Sequence, residues 1–498
     1  MSDPNIVSLI HLGCARNLID SELILGRMAE EELLVTGVPE EAGTVVINTC
    51  SFIGPAEKES SDAIRAQLDR KSKGELKHVV VAGCLVQRYR KKLRERFPRV
   101  DLFAEISDYR KLASQIRKLA DGKKVPSYLE GPVEREPQRE GARLLATPKS
   151  YAYLRISHGC DHKCTFCTIP SIRGAHRSKS IEDLCSEARE LVAMGTKELV
   201  LVAEDSTAWG RDIGKRLPEL VEALAETEGL HWVRLMYAYP NDFPWELTTL
   251  LREHPKVATY LDIPIQHAAT PVLRAMARAG SGEQVRRLLD RLHEEVPDIT
   301  VRTTLLMGFP GEKEADAEEV LDLLQTYRLT RVGAFVYSPE PGTPSFDLPG
   351  RVAEEAAISR HERVLDLRDE LLLAEQEKRI GEVIDVLVDE SSPHGGVNGR
   401  PESDAPEVDM IARLVDVEAE PGDIVKVRVQ ALDQECNLVC GPLEETAKCK
   451  EPSLTGRIAS PLCASWARSF CFAPSVWRAT RTSGIPWCCS ARASPCAQ

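Results

Sequence analysis

The chain of 498 residues has no apolar run approaching the roughly eighteen residues a membrane-spanning helix needs, which sets helical membrane proteins aside. It also has no surplus of positive charge. Its 64 Lys and Arg stand against 77 Asp and Glu, a net charge of −13, so binding that rests on broad neutralisation of nucleic-acid phosphates is disfavoured and a basic protein partner is easier to accommodate. The N-terminus, MSDPNIVSLIHLGC, carries neither a basic leader with a long apolar stretch nor a small-residue cleavage site, and the expected compartment is the cytoplasm. No internal repeat is found. With 43% hydrophobic and 28% charged residues the composition is that of a globular protein, and the length exceeds what one core organises, so about two to four domains are expected.

Cysteine, by contrast, is plentiful and unevenly placed. Of fifteen, three stand singly before residue 100, three crowd between 160 and 167, and eight follow residue 435. In a large chain expected in a reducing compartment, metal or cluster ligation is a better account of them than disulfides.

From Asn5 to Phe103, apolar runs (NIVSLIHL, TVVINT, HVVVAG) alternate with amphipathic stretches (IDSELILGRMAEE, PAEKESSDAIRAQLDR, YRKKLRERF), a rhythm that predicts a parallel sheet with helices on its faces. Cys14, Cys50 and Cys84 each fall just after one of these strands. Ligands of open parallel sheets gather at the carboxyl ends of strands, so these cysteines are expected to share a site; the plainer alternative is three ordinary buried thiols.

The expected architecture is α/β and multidomain: an N-terminal parallel α/β domain over 1–120, a linker or crossing strand over 121–150, a partial β/α barrel over 151–378 and a small β domain over 379–440. The barrel strands are read in YAYLRIS, ELVLVAE, VRLMYA, YLDIPI, TVRTTLLMGF and VGAFVYS, and the β domain in GEVIDVLVDE, DMIARLVDV and DIVKVRVQAL, as an antiparallel barrel or sandwich. Residues 441–498 lose all periodicity, and Cys449, Cys463, Cys471, Cys488, Cys489 and Cys496 show no metal-ligand spacing. That tail is expected to be disordered, and its composition also fits translation out of the ancestral frame.

In ISHGCDHKCTFCTIP, Cys160, Cys164 and Cys167 have a Cys-x3-Cys-x2-Cys spacing directly after the first barrel strand. Three such thiolates can hold three irons of a 4Fe-4S cube and leave the fourth open to a substrate or cofactor. A zinc site would need a fourth ligand, for which only His158 or His162 is near, and it remains as the non-enzymatic alternative, a zinc-stabilised binding scaffold.

That loop, with Phe166 before its last cysteine and a barrel following it, resembles the radical S-adenosylmethionine superfamily. The resemblance implies that the open iron chelates the amino and carboxylate groups of S-adenosylmethionine and that one electron cleaves its sulfonium bond to a 5′-deoxyadenosyl radical. With the preceding three-cysteine domain and the following small β domain, residues 5 to 440 are similar to the methylthiotransferases, whose last piece is called TRAM. This implies a second 4Fe-4S cluster on Cys14, Cys50 and Cys84, two roles for S-adenosylmethionine as methyl donor and radical source, and an electron donor such as flavodoxin or ferredoxin.

Two branches of that family compete, one acting on an aspartate of ribosomal protein uS12 and one on isopentenylated adenosine beside tRNA anticodons. LGCARNLIDSE, Phe52 and Ile53, His162, Ser171 and His267 are similar to the ribosomal branch; Ala15 and Glu204 depart from it, standing where it usually has proline and glutamine. Between Arg379 and Cys440, fourteen acidic residues face five basic ones, which suits basic uS12 better than tRNA. By the same resemblance Glu204, Gln266, Arg302 and the turn from Gly308 to Glu312 are candidates to hold S-adenosylmethionine at strand ends; ordinary turn chemistry is the alternative for each. His267 is read equally as a structural histidine, and Cys185 as core.

Overall fold

A computed structural model describes residues 3–443 apart from 133–136, 138, 142, 279 and 393–395. The tail expected to be disordered lies outside the described residues from 444 onward.

The first apolar runs become strands β1 (Ile6–His11), β2 (Leu34–Val35), β3 (Thr44–Thr49), β4 (His78–Gly83), β5 (Leu102–Ala104) and β6 (Tyr128–Leu129), joined in one parallel sheet in the order β2-β1-β3-β4-β5-β6. Helices α1 (Ala15–Glu30), α2 (Gly54–Ser72), α3 (Cys84–Tyr89), α4 (Leu93–Arg96) and α5 (Arg110–Ala120) connect them. Every residue of β3 is buried, as a central parallel strand covered on both faces must be. The segment read as a connector from 121 to 150 supplies the edge strand β6, paired with β5 through Phe103 and Ala104.

The second sheet is the expected partial barrel. Its strands β7 (Tyr151–Arg155), β10 (Glu198–Val202), β11 (Trp232–Leu235), β12 (Val257–Asp262), β13 (Thr300–Met307) and β14 (Arg331–Val336) run parallel in sequence order, and β7 and β14 form its two edges. Two short strands missed in the sequence, β8 (Ser157–His158) and β9 (Arg177–Ser178), pair antiparallel and pinch the base of the loop holding Cys160, Cys164 and Cys167. The helices are α6 (Ile169–Arg173), α7 (Ile181–Ala193), α8 (Leu217–Ala225), α9 (Leu247–Glu253), α10 (Thr270–Ala275), α11 (Gly282–Glu295), α12 (Glu314–Tyr327) and the long α13 (Glu354–Gln376).

Alternate residues of β7 divide between two cores. Ala152 and Leu154 pack outward with the helices, while Tyr151 and Tyr153 face inward and join one apolar cluster with Val200, Met236 and Tyr260 of the barrel and Ile19, Leu23 and Leu112 of the N-terminal domain. The N-terminal domain therefore packs into the barrel interior, and buried charges run through the junction. Asp20 accepts from Arg155 at 2.9 Å and from Arg173 at 2.6 Å, and Lys179 bridges Glu140 and Glu187 at 2.9 Å each. Removing one partner of such a buried pair costs about 3–5 kcal/mol, because the other charge is left stranded.

The last strands, β15 (Val383–Ser392), β16 (Gly396–Arg400), β17 (Ala412–Leu414), β18 (Ile424–Leu432) and β19 (Leu438–Pro442), close a five-stranded barrel in the order β15-β16-β17-β19-β18. The expected antiparallel pairing holds except at β17 and β19, which run parallel where the circle closes. The segment between β16 and β17 leaves this barrel and enters the larger one. There the hydroxyls of Tyr151 and Tyr153 donate to Glu407 at 2.9 and 3.1 Å, Tyr260 donates to Asp409 at 2.6 Å, and Arg331 pairs with Asp404 at 3.1 Å. Part of the acidic surplus read from this domain, Asp404 and Asp409 above all, is thus spent inward. Asp416, Glu418 and Glu420 remain exposed. Among the described residues no helix is long and apolar enough to cross a membrane.

Candidate functional site

Because β1, β3 and β4 are neighbours in one parallel sheet, the residues following them meet at one edge, and Cys14, Cys50 and Cys84 are brought together there. Gly13 allows the approach: it has φ +106°, and a Cβ on it would lie 2.9 Å from the Cβ of Cys50 and 3.1 Å from its sulfur. Asn17, one turn into α1, ties the strand ends together through its amide nitrogen, which donates to the carbonyls of Leu12 at 2.6 Å and Thr49 at 3.3 Å.

Burial and the neighbouring sulfurs Cys84 and Cys14 push the Cys50 thiol up to about 12. Burial also raises Cys14, but the guanidinium groups of Arg16 and Arg173 outweigh it, and its net shift is downward.

The second triad sits on a loop fixed from three sides. Cys160 N–H donates to Gly174 O at 3.1 Å, Thr165 donates from its N–H to Met276 O at 2.9 Å and from its hydroxyl to Ala275 O at 2.8 Å, and Ile169 N–H points at the Cys167 sulfur at 3.4 Å. Burial pushes Cys160 up to about 12 and Cys167 up to about 11. Around the loop, His162 stacks on Tyr239 with ring centres 3.7 Å apart and bonds Asp205 at 2.6 Å. Arg278 lies 4.2 Å from the centre of the Tyr239 ring and reaches the Cys164 sulfur at 3.8 Å.

The two triads abut. Thr168, next to Cys167, donates to Phe52 O at 3.4 Å, two residues from Cys50. An arginine crosses in each direction. Arg173 of α6 reaches the Cys84 sulfur at 3.5 Å, and Arg16 of α1 donates to Ala203 O beyond β10 at 2.9 Å. Neither arginine was singled out in the sequence, although Arg16 stands inside LGCARN and Arg173 inside PSIRG; what marks them is the contact across the junction, which no periodicity reveals.

The thiols fit iron-sulfur clusters. All six are free, so each can supply a thiolate to a separate corner iron of a cube. Cys50, Cys84, Cys160 and Cys167, kept neutral by burial, become thiolates when a metal replaces the proton.

Of the other candidates, Glu204, Gln266 and Gly308 follow β10, β12 and β13 at the end of the barrel that carries the cysteine loop. One carboxylate oxygen of Glu204, Oε2, is buried without a hydrogen-bond partner, so a donor in the barrel mouth would be held there. Gln266 has φ +72°, and its backbone bridges to β13 through Thr304 O and Leu306 N at 2.8 Å each. Arg302 is not at a strand end as expected. It is the third residue of β13, and its charge is held by Asp262 at 3.1 Å and Asp409 at 3.4 Å.

Gly308 has a packing reason to be glycine: φ is +79°, and a Cβ would come within 2.3 Å of the Cβ of Ala357 on α13. Its N–H and that of Phe309 are both taken by Glu312, which also lies against His267 at 3.5 Å and Arg360 at 3.0 Å. Fully buried, with Nδ1 accepting from Ala269 N–H at 3.0 Å, His267 serves the turn. Cys185 packs against the barrel core. A Gly308→Ala variant is expected to lose about 2–4 kcal/mol from left-handed backbone strain and overpacking, read as a lower midpoint in thermal or urea unfolding.

Residues 154–324 match the radical SAM superfamily, residues 7–105 the uncharacterized protein family UPF0004, and residues 380–436 the TRAM domain. The chain is 38% identical over 453 residues to the ribosomal protein uS12 methylthiotransferase RimO of Acetivibrio thermocellus, covering 89% of this chain and 99% of that one. It is 39% identical over 434 residues to the protein of the same name from Pelotomaculum thermopropionicum, covering 85% and 96%. Among solved structures, the radical S-adenosylmethionine methyltransferase TsrM of Kitasatospora setae aligns with a TM-score of 0.49 at 16% identity, covering 69% of this chain and 77% of that one. With such identity along nearly the whole length of these relatives, the chain belongs to the ribosomal protein uS12 methylthiotransferase family of radical SAM enzymes.

Proposed function

We propose that this enzyme adds a methylthio group to the β-carbon of an aspartate in ribosomal protein uS12. The observation that carries the reading is the abutment of the two cysteine triads, joined through Thr168 and Phe52 and crossed by Arg16 and Arg173, at the barrel end where strand ends gather. Cys160, Cys164 and Cys167 would hold one 4Fe-4S cluster and Cys14, Cys50 and Cys84 the other. When bound, the clusters and S-adenosylmethionine supply the electron, the radical, the sulfur and the methyl group.

The protein's own work is placement and exclusion of water. The unpartnered Glu204 oxygen is offered as the acceptor for S-adenosylmethionine's amino group, with Gln266 and Gly308 lining the same strand-end mouth. Arg302, pinned by Asp262 and Asp409, presents its remaining donors from deeper in the barrel. An electron carrier of the flavodoxin or ferredoxin class completes the system, and the acidic outer face of the β domain makes tRNA the poorer substrate.

The test is mass analysis of uS12 after incubation with the anaerobically reconstituted enzyme, S-adenosylmethionine and a reductant: a single methylthio adduct on aspartate is expected. Changing the exposed Asp416, Glu418 and Glu420 to Lys should slow that modification by about tenfold at low salt, and by less as salt rises, while uncoupled S-adenosylmethionine cleavage continues. A tRNA enzyme predicts the reverse sign. Faster methylthiolation of tRNA by the lysine variant, with uS12 untouched by either protein, would remove this reading.

A further inference from the structure

The loop that follows β14 touches the segments carrying both cysteine triads. It begins at Tyr337, whose N–H donates to Met307 O at 2.8 Å, and within it the Glu340 carboxylate is buried. One oxygen of that carboxylate, Oε1, accepts from Gly54 N–H at 2.6 Å and from the Ser338 hydroxyl at 2.7 Å. The other, Oε2, pairs with Arg88 at 2.9 Å, and only 8% of the arginine side chain and 4% of the glutamate are exposed, so water competes little for the pair. Gly54 opens α2, and Ile53 before it has no capping side chain, so the barrel supplies the cap that α2 lacks.

Arg88 carries the contact further. It stands one turn after Cys84 on α3 and also donates to Ser51 O at 2.7 Å, beside Cys50. Glu340 therefore holds the carriers of two of the three first-triad cysteines. Later in the same loop Ser345 N–H donates to Thr165 O at 2.9 Å, between Cys164 and Phe166 of the other triad. The Ser345 hydroxyl accepts from Tyr337 at 2.8 Å and ties the two ends of the loop together. By comparison the bond from Thr168 to Phe52 O, at 3.4 Å, exceeds the roughly 2.7–2.8 Å that a hydroxyl donor prefers.

We propose that Glu340 is a positioning residue for methylthio transfer: the loop from Tyr337 to Asp347 is a strap that sets the separation of the two centres, and Glu340 anchors it to the N-terminal domain. This rests on the assignment of clusters to the two triads and on the function proposed above. In that reading the radical is formed at one centre and the sulfur is carried at the other, so a shift between them wastes radicals without preventing their formation. Misplacement by about an ångström can cost about a hundredfold in rate. Charge matters as well as reach, because Arg88 and Gly54 N–H bind an ionised acceptor more strongly than a neutral one.

The experiment has two arms, both on the full chain. Before reconstitution, amide hydrogen exchange read by mass spectrometry should show the segment from Ser51 to Glu57 exchanging about tenfold faster in Glu340→Gln. After reconstitution that variant should keep its iron and its rate of 5′-deoxyadenosine formation, while methylthio product per 5′-deoxyadenosine falls about tenfold. Glu340→Asp, which keeps the charge, should recover part of the ratio. Arg143→Gln, which breaks another buried pair at the junction, Arg143 with Glu22 at 2.5 Å, should leave the ratio unchanged. The double variant Glu340→Gln with Arg88→Gln strands neither charge and should show the same loss, so misfolding of the single variant does not decide the matter. An unchanged ratio in the double variant, unchanged exchange from Ser51 to Glu57, or an equal fall in Arg143→Gln overturns the positioning role. An unaltered protein that forms 5′-deoxyadenosine but no methylthio product overturns the proposed function instead, and this inference with it.

Discussion

A Cys164→Ala protein is expected to form no 5′-deoxyadenosine above background when supplied with S-adenosylmethionine and dithionite. The loop does not depend on this thiol for its shape, since Thr165 N–H and hydroxyl hold it to Met276 and Ala275 and Cys160 N–H holds it to Gly174. What is lost is one of three ligands to a cube that has an open fourth iron. Even residues that only hydrogen-bond a metal ligand commonly cost about 10–100-fold when removed, so loss of a ligand itself should exceed about a hundredfold. Chromatographic assay of 5′-deoxyadenosine checks this, with far-ultraviolet circular dichroism to show that the fold is kept. A normal rate would mean that these three cysteines do not hold the reactive cluster.

Replacing Cys14, Cys50 and Cys84 together should separate the two halves of the reaction. The variant is expected to keep roughly half its iron, one cube of two, and to go on cleaving S-adenosylmethionine while making no methylthio product. The structure gives a reason to expect it to fold. Arg173, which touches Cys84, keeps its 2.6 Å pair with Asp20, and the Arg155 to Asp20 bond at 2.9 Å is untouched, so the charges at the domain junction stay matched. Iron analysis, 5′-deoxyadenosine and the mass of uS12 are measured on one preparation. Methylthio product from this variant would show that sulfur reaches the substrate without the first triad.

The elements read correctly in the sequence are those with a local signature. The six strands of the larger barrel stand out as apolar runs between amphipathic stretches, and the cysteines follow their strands in the linear chain. What was missed lacks such a signature. β16, as GVNGR, has glycine where a strand normally shows β-branched residues, and β19 is five residues long. The pairing of β17 with β19 depends on how the small barrel closes, which the composition of neither strand encodes. Arg302 was expected at a strand end because the site residues collect there, yet its partners Asp262 and Asp409 lie 40 and 107 positions away in sequence and hold it inside the strand. The acidic count of the β domain was correct as arithmetic and incomplete as a surface: Asp404 and Asp409 answer Arg331 and Tyr260 inside the larger barrel, and Glu407, though exposed, accepts from Tyr151 and Tyr153.

That inward-turned segment also orders the enzyme's birth. During synthesis β14 leaves the ribosome before residues 404 to 409 exist, so the hydroxyls of Tyr151, Tyr153 and Tyr260 first meet water instead of the carboxylates of Glu407 and Asp409. The larger barrel's tyrosine hydroxyls therefore gain their carboxylate partners only once the small barrel has been made, so the two domains are expected to finish folding as a pair instead of one after the other.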